Sequence, residues 1–426
     1  MIRVLPSLSL AEVPCAVVDV DLEQDVDDID LRREAGPSYR AAWVLVRRDG
    51  APIGHAVVSW DEPVLSGEEL LEVLRAEFSV PVEGWGIRGT GVMGPREVVS
   101  ERDVTVVICT RERPEGLRRC LLSLLAQESR EFSVLVIDNA PESDRTWGVA
   151  KEFTDRLEIR YVKETSAGLS RARNRSIVES DREIIAWVDD DEEVDRRWVT
   201  QIAQGFREPT VGCVCGVMVP AELATPAQVL FEQWGGHRKG RGFRPMEFSL
   251  RELGRRAVLY PLPAFGAGGN MAMRREAILQ LGGFDEALGA GTPAMGGEDT
   301  LALTELMLAG TVVRYDPTAI TRHYDRTSHE GLGLQLYGYG VGLSAFFTAL
   351  GLTHVNLLPD LVALGPRALS DVWSQSSVRN AGLGVTFPAE LVKGNRRGIM
   401  LGPAAYLKGR AALRRRLRPH RLLRVT

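Results

Sequence analysis

Ile184-Ile185-Ala186-Trp187-Val188-Asp189-Asp190-Asp191 is an apolar run that stops on three carboxylates. So short a run of bulky residues reads as a buried strand. Asp189 and Asp191 then sit at its carboxyl end, where ligands bind in open α/β sheets. Three adjacent carboxylates repel one another unless a cation lies among them. Oxygen donors suit Mg²⁺ or Mn²⁺, and such an ion would hold a diphosphate. The other reading is an acidic helix start, since Asp195 and further charges follow.

The flanking sequence repeats the pattern. Val104–Cys109 reads as a strand, followed by the polar loop Thr110-Arg111-Glu112-Arg113. Pro114 suits a first helical turn, and Leu117, Cys120, Leu121, Leu124 and Leu125 follow at helical spacing. Val134–Ile137 is a strand ending in Asp138-Asn139, and Ile159–Val162 is another. Gly168-Leu-Ser-Arg-Ala-Arg-Asn174 opens a helix. Val211–Val219 reads as a further strand, on one face of which Cys213 and Cys215 are core thiols. Strands alternating with helices predict a mostly parallel sheet with right-handed crossovers. One sheet edge then carries Thr110/Arg111, Asp138 and Asp189–Asp191. The chemistry this implies is nucleotide binding. Asp138 accepts a base N–H. Arg173 pairs with phosphate, or it is a salt bridge tying loop to sheet. A metal at Asp191 neutralises a departing diphosphate.

Taken in order, Val-Val-Ile-Cys-Thr-Arg-Glu-Arg-Pro (106–114), Val-Ile-Asp-Asn (136–139), Gly-Leu-Ser-Arg-Ala-Arg-Asn (168–174) and Asp-Asp-Asp (189–191) resemble a family 2 glycosyltransferase. So do Gly-Ala-Gly-Gly-Asn-Met-Ala-Met-Arg-Arg (266–275), Gly-Gly-Phe-Asp-Glu (282–286), Gly-Gly-Glu-Asp (296–299) and His323. The resemblance covers residues 103–326. It implies an α/β GT-A fold, a Rossmann-like and mostly parallel sheet flanked by helices. It also implies an inverting transferase with a nucleotide-activated sugar and a DXD-type metal motif. By the family pattern Thr110, Arg111 and Asp138 lie at the nucleoside, and Arg173 supports its pocket. Asp189 and Asp190 lie at the ribose and sugar. Asp191 carries Mn²⁺ or Mg²⁺ with His323 as a further ligand. Asp299 is the base and Glu298 faces the acceptor.

Inversion needs a base on the face opposite the leaving diphosphate. Gly296-Gly297 ahead of Glu298-Asp299, with Leu301, Leu303 and Leu306 after, gives a flexible approach and then a helix. The plainer account of the two acids is a complement to a helix N-terminus. Gly268-Gly269-Asn270 lets backbone approach the donor sugar, or is a turn. Many members of the family it resembles carry an aromatic residue and then Asn after the first-strand Thr, where this chain has Arg111 and Glu112. It has no Gln-x-x-Arg-Trp after His323, which implies single rather than processive addition. The rival functions are a nucleotidyltransferase, disfavoured by the absence of a glycine loop after the first strand, and a non-catalytic nucleotide- or sugar-binding module.

The rest of the 426 residues sets bounds. The chain is 44% apolar and 26% charged with net charge −5, the composition of a globular protein and not of a nucleic-acid binder. Five cysteines without zinc or redox spacing point to free thiols in a reducing compartment. No signal-peptide pattern opens the chain and no run of ~18 apolar residues spans a membrane, so a cytoplasmic enzyme is expected. Residues 1–80 read as a small α+β domain, with a hairpin around Arg48-Asp49-Gly50 and a helix capped by Ser66 and Glu69. Residues 81–102 read as a linker. Trp234-Gly-Gly-His-Arg-Lys-Gly-Arg-Gly242 is an acceptor or diphosphate loop, or a solvated connection.

Residues 327–426 form a helical extension. Leu332–Leu364 is a helical hairpin, packed on the catalytic domain or lying in a membrane interface. From Lys393 onward there are eleven Lys/Arg and no acid. That tail suits the inner face of a cell membrane, with solvent and then nucleic acid as the other partners. The expected partners are therefore a UDP-, GDP- or dTDP-sugar and an acceptor that is a lipid-linked glycan or a natural product, as in glycan or cell-envelope biosynthesis.

Overall fold

The computed structural model describes residues 2–30, 38–62, 64–79, 99–238, 240–260, 265–374, 383 and 387–417. Most of the expected linker, and the tail beyond residue 417, lie outside the described residues.

The N-terminal unit holds β1 (Arg3–Leu5), β2 (Ala16–Asp21), β3 (Ile29–Asp30), β4 (Ala41–Arg48), β5 (Ala51–Ser59), β6 (Val64–Leu65) and α1 (Gly67–Glu77). Strands β4 and β5 pair across a tight turn in which Asp49 and Gly50 both have positive φ, the conformation that an Asp-Gly hairpin requires. Ser66 Oγ accepts from Glu69 N and caps α1. One face of this sheet packs on α1 through Val44, Val46, Leu70 and Leu74. The other face joins the core of the next domain, where Trp43, Leu45 and Val57 lie in one cluster with Val219, Leu223 and Phe243. Arg47 bridges Asp19 and Asp195 at 2.8 and 2.6 Å, tying the two units together at their surface.

The central domain runs β7 (Val104–Thr110), α2 (Pro114–Leu125), β8 (Ser133–Asn139), α3 (Arg145–Lys151), β9 (Ile159–Glu164), α4 (Leu169–Glu179), β10 (Ile184–Asp189), β11 (Glu192–Val194), α5 (Trp198–Gly205) and β12 (Val211–Pro220). It continues with α6 (Pro226–Gln233), β13 (Met246–Phe248), α7 (Leu250–Leu253), α8 (Arg255–Val258), β14 (Asn270–Arg274), α9 (Arg275–Gln280), α10 (Glu298–Leu308) and β15 (Val312–His323). The sheet order is β11-β15-β12-β14-β10-β7-β8-β9, with β13 on β15. Strands β10, β7, β8 and β9 are parallel, as the alternation predicts. Strand β14 runs antiparallel between β10 and β12, so the sheet is mixed beyond that point. Cores fill both faces, one built on Val106, Ile108, Val136 and Trp198, the other on Trp187, Met271 and Met273.

The aspartate run settles as a strand end. Strand β10 stops at Asp189, Asp190 and Asp191 make the turn, and Glu192 starts β11. The acidic-helix reading is thereby excluded. Asn270 is corrected too. It begins β14, is wholly buried and does not line the cavity described below. Its amide donates to Val217 O and Ala319 O at 3.0 and 2.9 Å, and its oxygen accepts from Trp198 Nε1 at 2.9 Å. Asn270 is thus a clamp between β12, β15 and α5. Asn270→Ala would leave three buried polar groups without partners, and we expect it to lower unfolding free energy by roughly 3 kcal/mol in urea titrations. A stability within 0.5 kcal/mol of wild type, as is usual at surface sites, would contradict the clamp.

The C-terminal region is α11 (His329–Thr353), α12 (Leu358–Trp373) and α13 (Ala389–Leu417). Helix α11 is long and apolar enough to cross a bilayer by length and composition, but it is over half buried against the rest of the chain. Helix α13 lies alongside α11 in the same direction. Glycines make the approach possible: a Cβ at Gly340 would strike the Asn395 carbonyl, and one at Gly398 the Tyr337 carbonyl. Asn395 Nδ2 donates to Leu336 O at 2.6 Å across this seam. On its other side α11 meets the glycine turn before α10, where Gly297 abuts Gly342.

Candidate active site

A cavity of about 590 Å³ opens at the carboxyl edge of the parallel strands. Thr110, Arg111, Asp189, Asp190, Asp191, His323, Gly269, Arg173, Glu298 and Asp299 all line it. Asp138 does not. It ends β8 with its carboxylate accepting from the Tyr161 hydroxyl at 2.5 Å. Burial, the largest influence, raises its pKa. Successive strand residues point to opposite faces, so it is Asn139 that meets the cavity. Asn139 Oδ1 accepts from Gly168 N and its amide donates to Ser166 O, both at 2.9 Å, which fixes the start of α4.

The acidic wall is held by cations from distant loops. Thr110 Oγ1 donates to Asp190 Oδ2 at 2.6 Å. Arg113 Nη1 donates to Asp190 Oδ1 at 3.1 Å and to Asp191 Oδ2 at 2.8 Å. Burial pushes Asp190 up to about 6. Burial also acts to raise Asp191, but His323, Arg113 and Arg326 together hold it below the ordinary carboxylate range. His323 Nε2 lies 3.5 Å from Asp191 Oδ1, and its Nδ1 lies 2.9 Å from Asp325 Oδ1. Burial would lower the His323 pKa, but Asp325 and Asp191 override it and push it up to about 10. The same Asp325 oxygen lies 3.1 Å from His237 Nε2.

The opposite wall is α10 and the loop before β14. Arg173, almost wholly buried, donates to Glu298 Oε1 and to Gly268 O, both at 2.9 Å. Arg173 is thus a buried tie, and it also borders the cavity. Burial first, then the charge of Asp299, pushes Glu298 up to about 7 against the pull of Arg173. Asp299 Oδ2 accepts from Gly268 N at 3.0 Å, and Oδ1 from Thr300 N at 2.7 Å. The turn before α10 uses a left-handed Gly297. On the third side α11 contributes Tyr339, Leu343 and Phe346.

The donor set fits a divalent cation. Asp189, Asp191 and His323 face one cavity, and the carboxylate of the buried Glu192 lies behind Gly269. Carboxylates with one imidazole suit Mn²⁺ or Mg²⁺. Among the described residues, the side chains whose ligand atoms cluster within 4.8 Å are His237, His323 and Asp325. Asp325 stands at hydrogen-bond distance from both rings, so it orients His323, leaving Nε2 for Asp191 and the cavity. The sequence reading did not single out Arg113, Asn139 or Asp325, and it took His237 only as part of a loop. A His-x-Asp pair at 323–325 was the one visible signal for Asp325.

This electrostatic arrangement has a measurable consequence. Asp190 and Glu298 bind their protons more readily folded than unfolded, so their stabilisation is complete below about 4 and is lost as pH rises through 6 to 7. His323 keeps its proton when folded, and its contribution, full below about 6.5, fades as pH rises through 10. All three shifts give the same sign. The melting temperature in EDTA should therefore fall steadily from pH 5 to pH 9, and a rise over that range would refute the assigned shifts.

A family model described as Glycosyl transferase family 2 matches residues 105–282. Glu298, Asp299 and His323 lie beyond that match. The pre-mycofactocin glycosyltransferase of Mycobacterium tuberculosis is 29% identical over 235 residues, 54% of this chain and 44% of that protein. The chain thus spans less than half of that relative's length. The succinoglycan biosynthesis protein ExoM of Rhizobium meliloti is 28% identical over 230 residues, 51% of this chain and 65% of its own. Among solved structures, a mannosyltransferase from Pyrobaculum calidifontis, in complex with GDP-Man and Mn²⁺, aligns over 81% of this chain and 94% of its own. It does so at 19% identity and a TM-score of 0.46.

Proposed function

From a chain that carries a glycosyl transferase family 2 domain at residues 105–282, we propose an enzyme that moves one sugar from a nucleoside diphosphate sugar to an acceptor hydroxyl, with inversion. The observation that carries this reading is the pairing of two unlike walls across one cavity: Asp189, Asp191 and His323 face Arg173, Glu298 and Asp299. A space of about 590 Å³ is of the size that small-molecule and cofactor sites occupy.

In this reading Thr110, Arg111 and Asn139 border the nucleoside. Asp189 and Gly269 lie at the ribose and sugar, and Asp191 and His323 hold Mn²⁺ or Mg²⁺. The bound ion supplies Lewis-acid stabilisation of the leaving diphosphate. Arg113 and Arg326 add positive charge at the same end. Arg173 and Glu298 fix Gly268, and through it the floor on which the donor sugar rests. Asp299 takes the proton from the acceptor hydroxyl. The acceptor enters along α11, past Tyr339, Leu343 and Phe346. It is a glycan or a natural product held at the inner face of a membrane, consistent with the basic tail.

The deciding experiment is calorimetry with UDP, GDP, dTDP and CDP, each with Mn²⁺ and with EDTA. Metal-dependent binding of one diphosphate is expected, and it names the donor base. Failure of folded protein to bind any of the four would reject the reading.

A further inference from the structure

We propose that the outer face of α12, with the groove beneath it, is a docking surface for an anionic lipid bilayer. This deepens the membrane element of the proposed function and rests on it. Val355, Leu358, Val362, Leu369 and Trp373 recur at helical spacing along one stripe. Val355, Val362, Leu369 and Trp373 are 66%, 75%, 63% and 59% exposed. Single exposed apolar residues are ordinary, but a continuous stripe of this size is not, and it marks a partner. Beneath it lies a cavity of about 440 Å³ bordered by Tyr260, Phe347, Leu352, Leu361 and Leu364. Its walls are almost wholly apolar, suited to a hydrocarbon chain and not to a polar ligand.

Charge selects a bilayer over other occupants. Trp373 closes the stripe with the Arg396 guanidinium 4.8 Å from its ring centroid, and Arg367 sits 5.0 Å from the Tyr260 ring. Arg255 and Arg256 stand at the other end, 3.5 and 3.7 Å from Asp360. An apolar face bordered by arginines and ended by tryptophan is the composition of a helix lying in a membrane interface. Arg255, Arg256, Arg367 and Arg396 outnumber the Asp360 and Asp371 that they face there, so a two-fold contact between copies would bring like net charge together. Anionic headgroups complement them. The surface also has a functional address. Phe347 borders the groove while its neighbour Phe346 lines the catalytic cavity, so one helix separates the two. A lipid-held acceptor docked at α12 is thereby within one helix diameter, about 10 Å, of the site.

The test is flotation of the full chain with vesicles of phosphatidylglycerol and phosphatidylcholine, and with phosphatidylcholine alone. Wild type should float with the anionic vesicles, weaken as salt rises, and stay behind with the neutral ones. Val362→Glu with Leu369→Glu, two exposed positions whose change spares the core, should lower partitioning about tenfold or more. Binding of whichever of the four diphosphates wild type takes with Mn²⁺ should be unchanged in that variant, and an unchanged circular dichroism spectrum and melting temperature show that it is folded. Equal flotation of variant and wild type would overturn the proposal. So would a wild-type dimer that the variant dissociates, with no vesicle binding. Diphosphate binding without vesicle binding removes the surface alone. Vesicle binding without binding of any diphosphate removes the transferase reading and leaves the surface standing.

Discussion

Asp299→Asn is expected to lower kcat by roughly 10²–10⁴-fold, the usual worth of a positioned base, while leaving diphosphate affinity within about twofold of wild type. Two carboxylates stand side by side at the start of α10, and their surroundings assign them different work. Glu298 is buried, has Arg173 on one oxygen, and is raised to about 7. Asp299 is held by two backbone N–H groups, from Gly268 and Thr300, which fix its direction. A carboxylate held in one direction at the cavity wall is what proton abstraction needs. The Asn variant keeps its shape and one acceptor oxygen, so the helix start survives. Glu298→Gln is the control. It removes the counter-charge of a buried arginine, so it should cost about 3–5 kcal/mol of stability and disturb the donor floor before it disturbs chemistry. Near-normal turnover in Asp299→Asn would end the assignment of Asp299 as base. A kcat collapse confined to Glu298→Gln would move the role next door.

How far the chain can be read without coordinates depends on how local the signal is. The strand ending at Asp189, the capped α1 and the Asp-Gly hairpin are written in neighbouring residues, and each appears where expected. What escaped is long-range. Arg113 earns its place only by meeting Asp190 and Asp191, some eighty residues away, and its own surroundings look like an ordinary helix start. Asn270 looked like a sugar contact because it follows two glycines, but the antiparallel register of β14 turns it into the core. Asp138 and Asn139 show the same limit at finer scale: a one-residue alternation decides which of them sees the cavity. The helical C-terminus was legible as helices but not as a wall of the site. The glycines of α11 read as breaks in an apolar run, whereas they are the contact points that bring α13 and the turn before α10 up against it.

Asp191→Ala is expected to abolish most of the metal's effect on diphosphate binding, an affinity loss of about 100-fold or more in Mn²⁺, beyond the 10–100-fold typical of partners one step behind a ligand. The structure makes the prediction sharper than a loss. Asp191 is the counter-charge for Arg113, His323 and Arg326. Deleting it leaves Arg113 only Asp190, His323 only Asp325, and Arg326 without this counter-charge, so positive charge rises at the end where we place the diphosphate. In EDTA the variant should therefore bind diphosphate as well as wild type or better, and the two measurements should move in opposite directions. Asp190→Asn separates this from a general effect of lost charge. Asp190 is held by Thr110 and Arg113 and is raised to about 6, so its variant should change stability more than metal dependence. Asp325→Asn, which loosens His323 without touching the aspartates, belongs between them, at about 10–100-fold in Mn²⁺ and no change in EDTA. If Asp191→Ala weakened binding equally with and without metal, the aspartate would be a binding-site scaffold. The cation would then have to be sought at His237, His323 and Asp325.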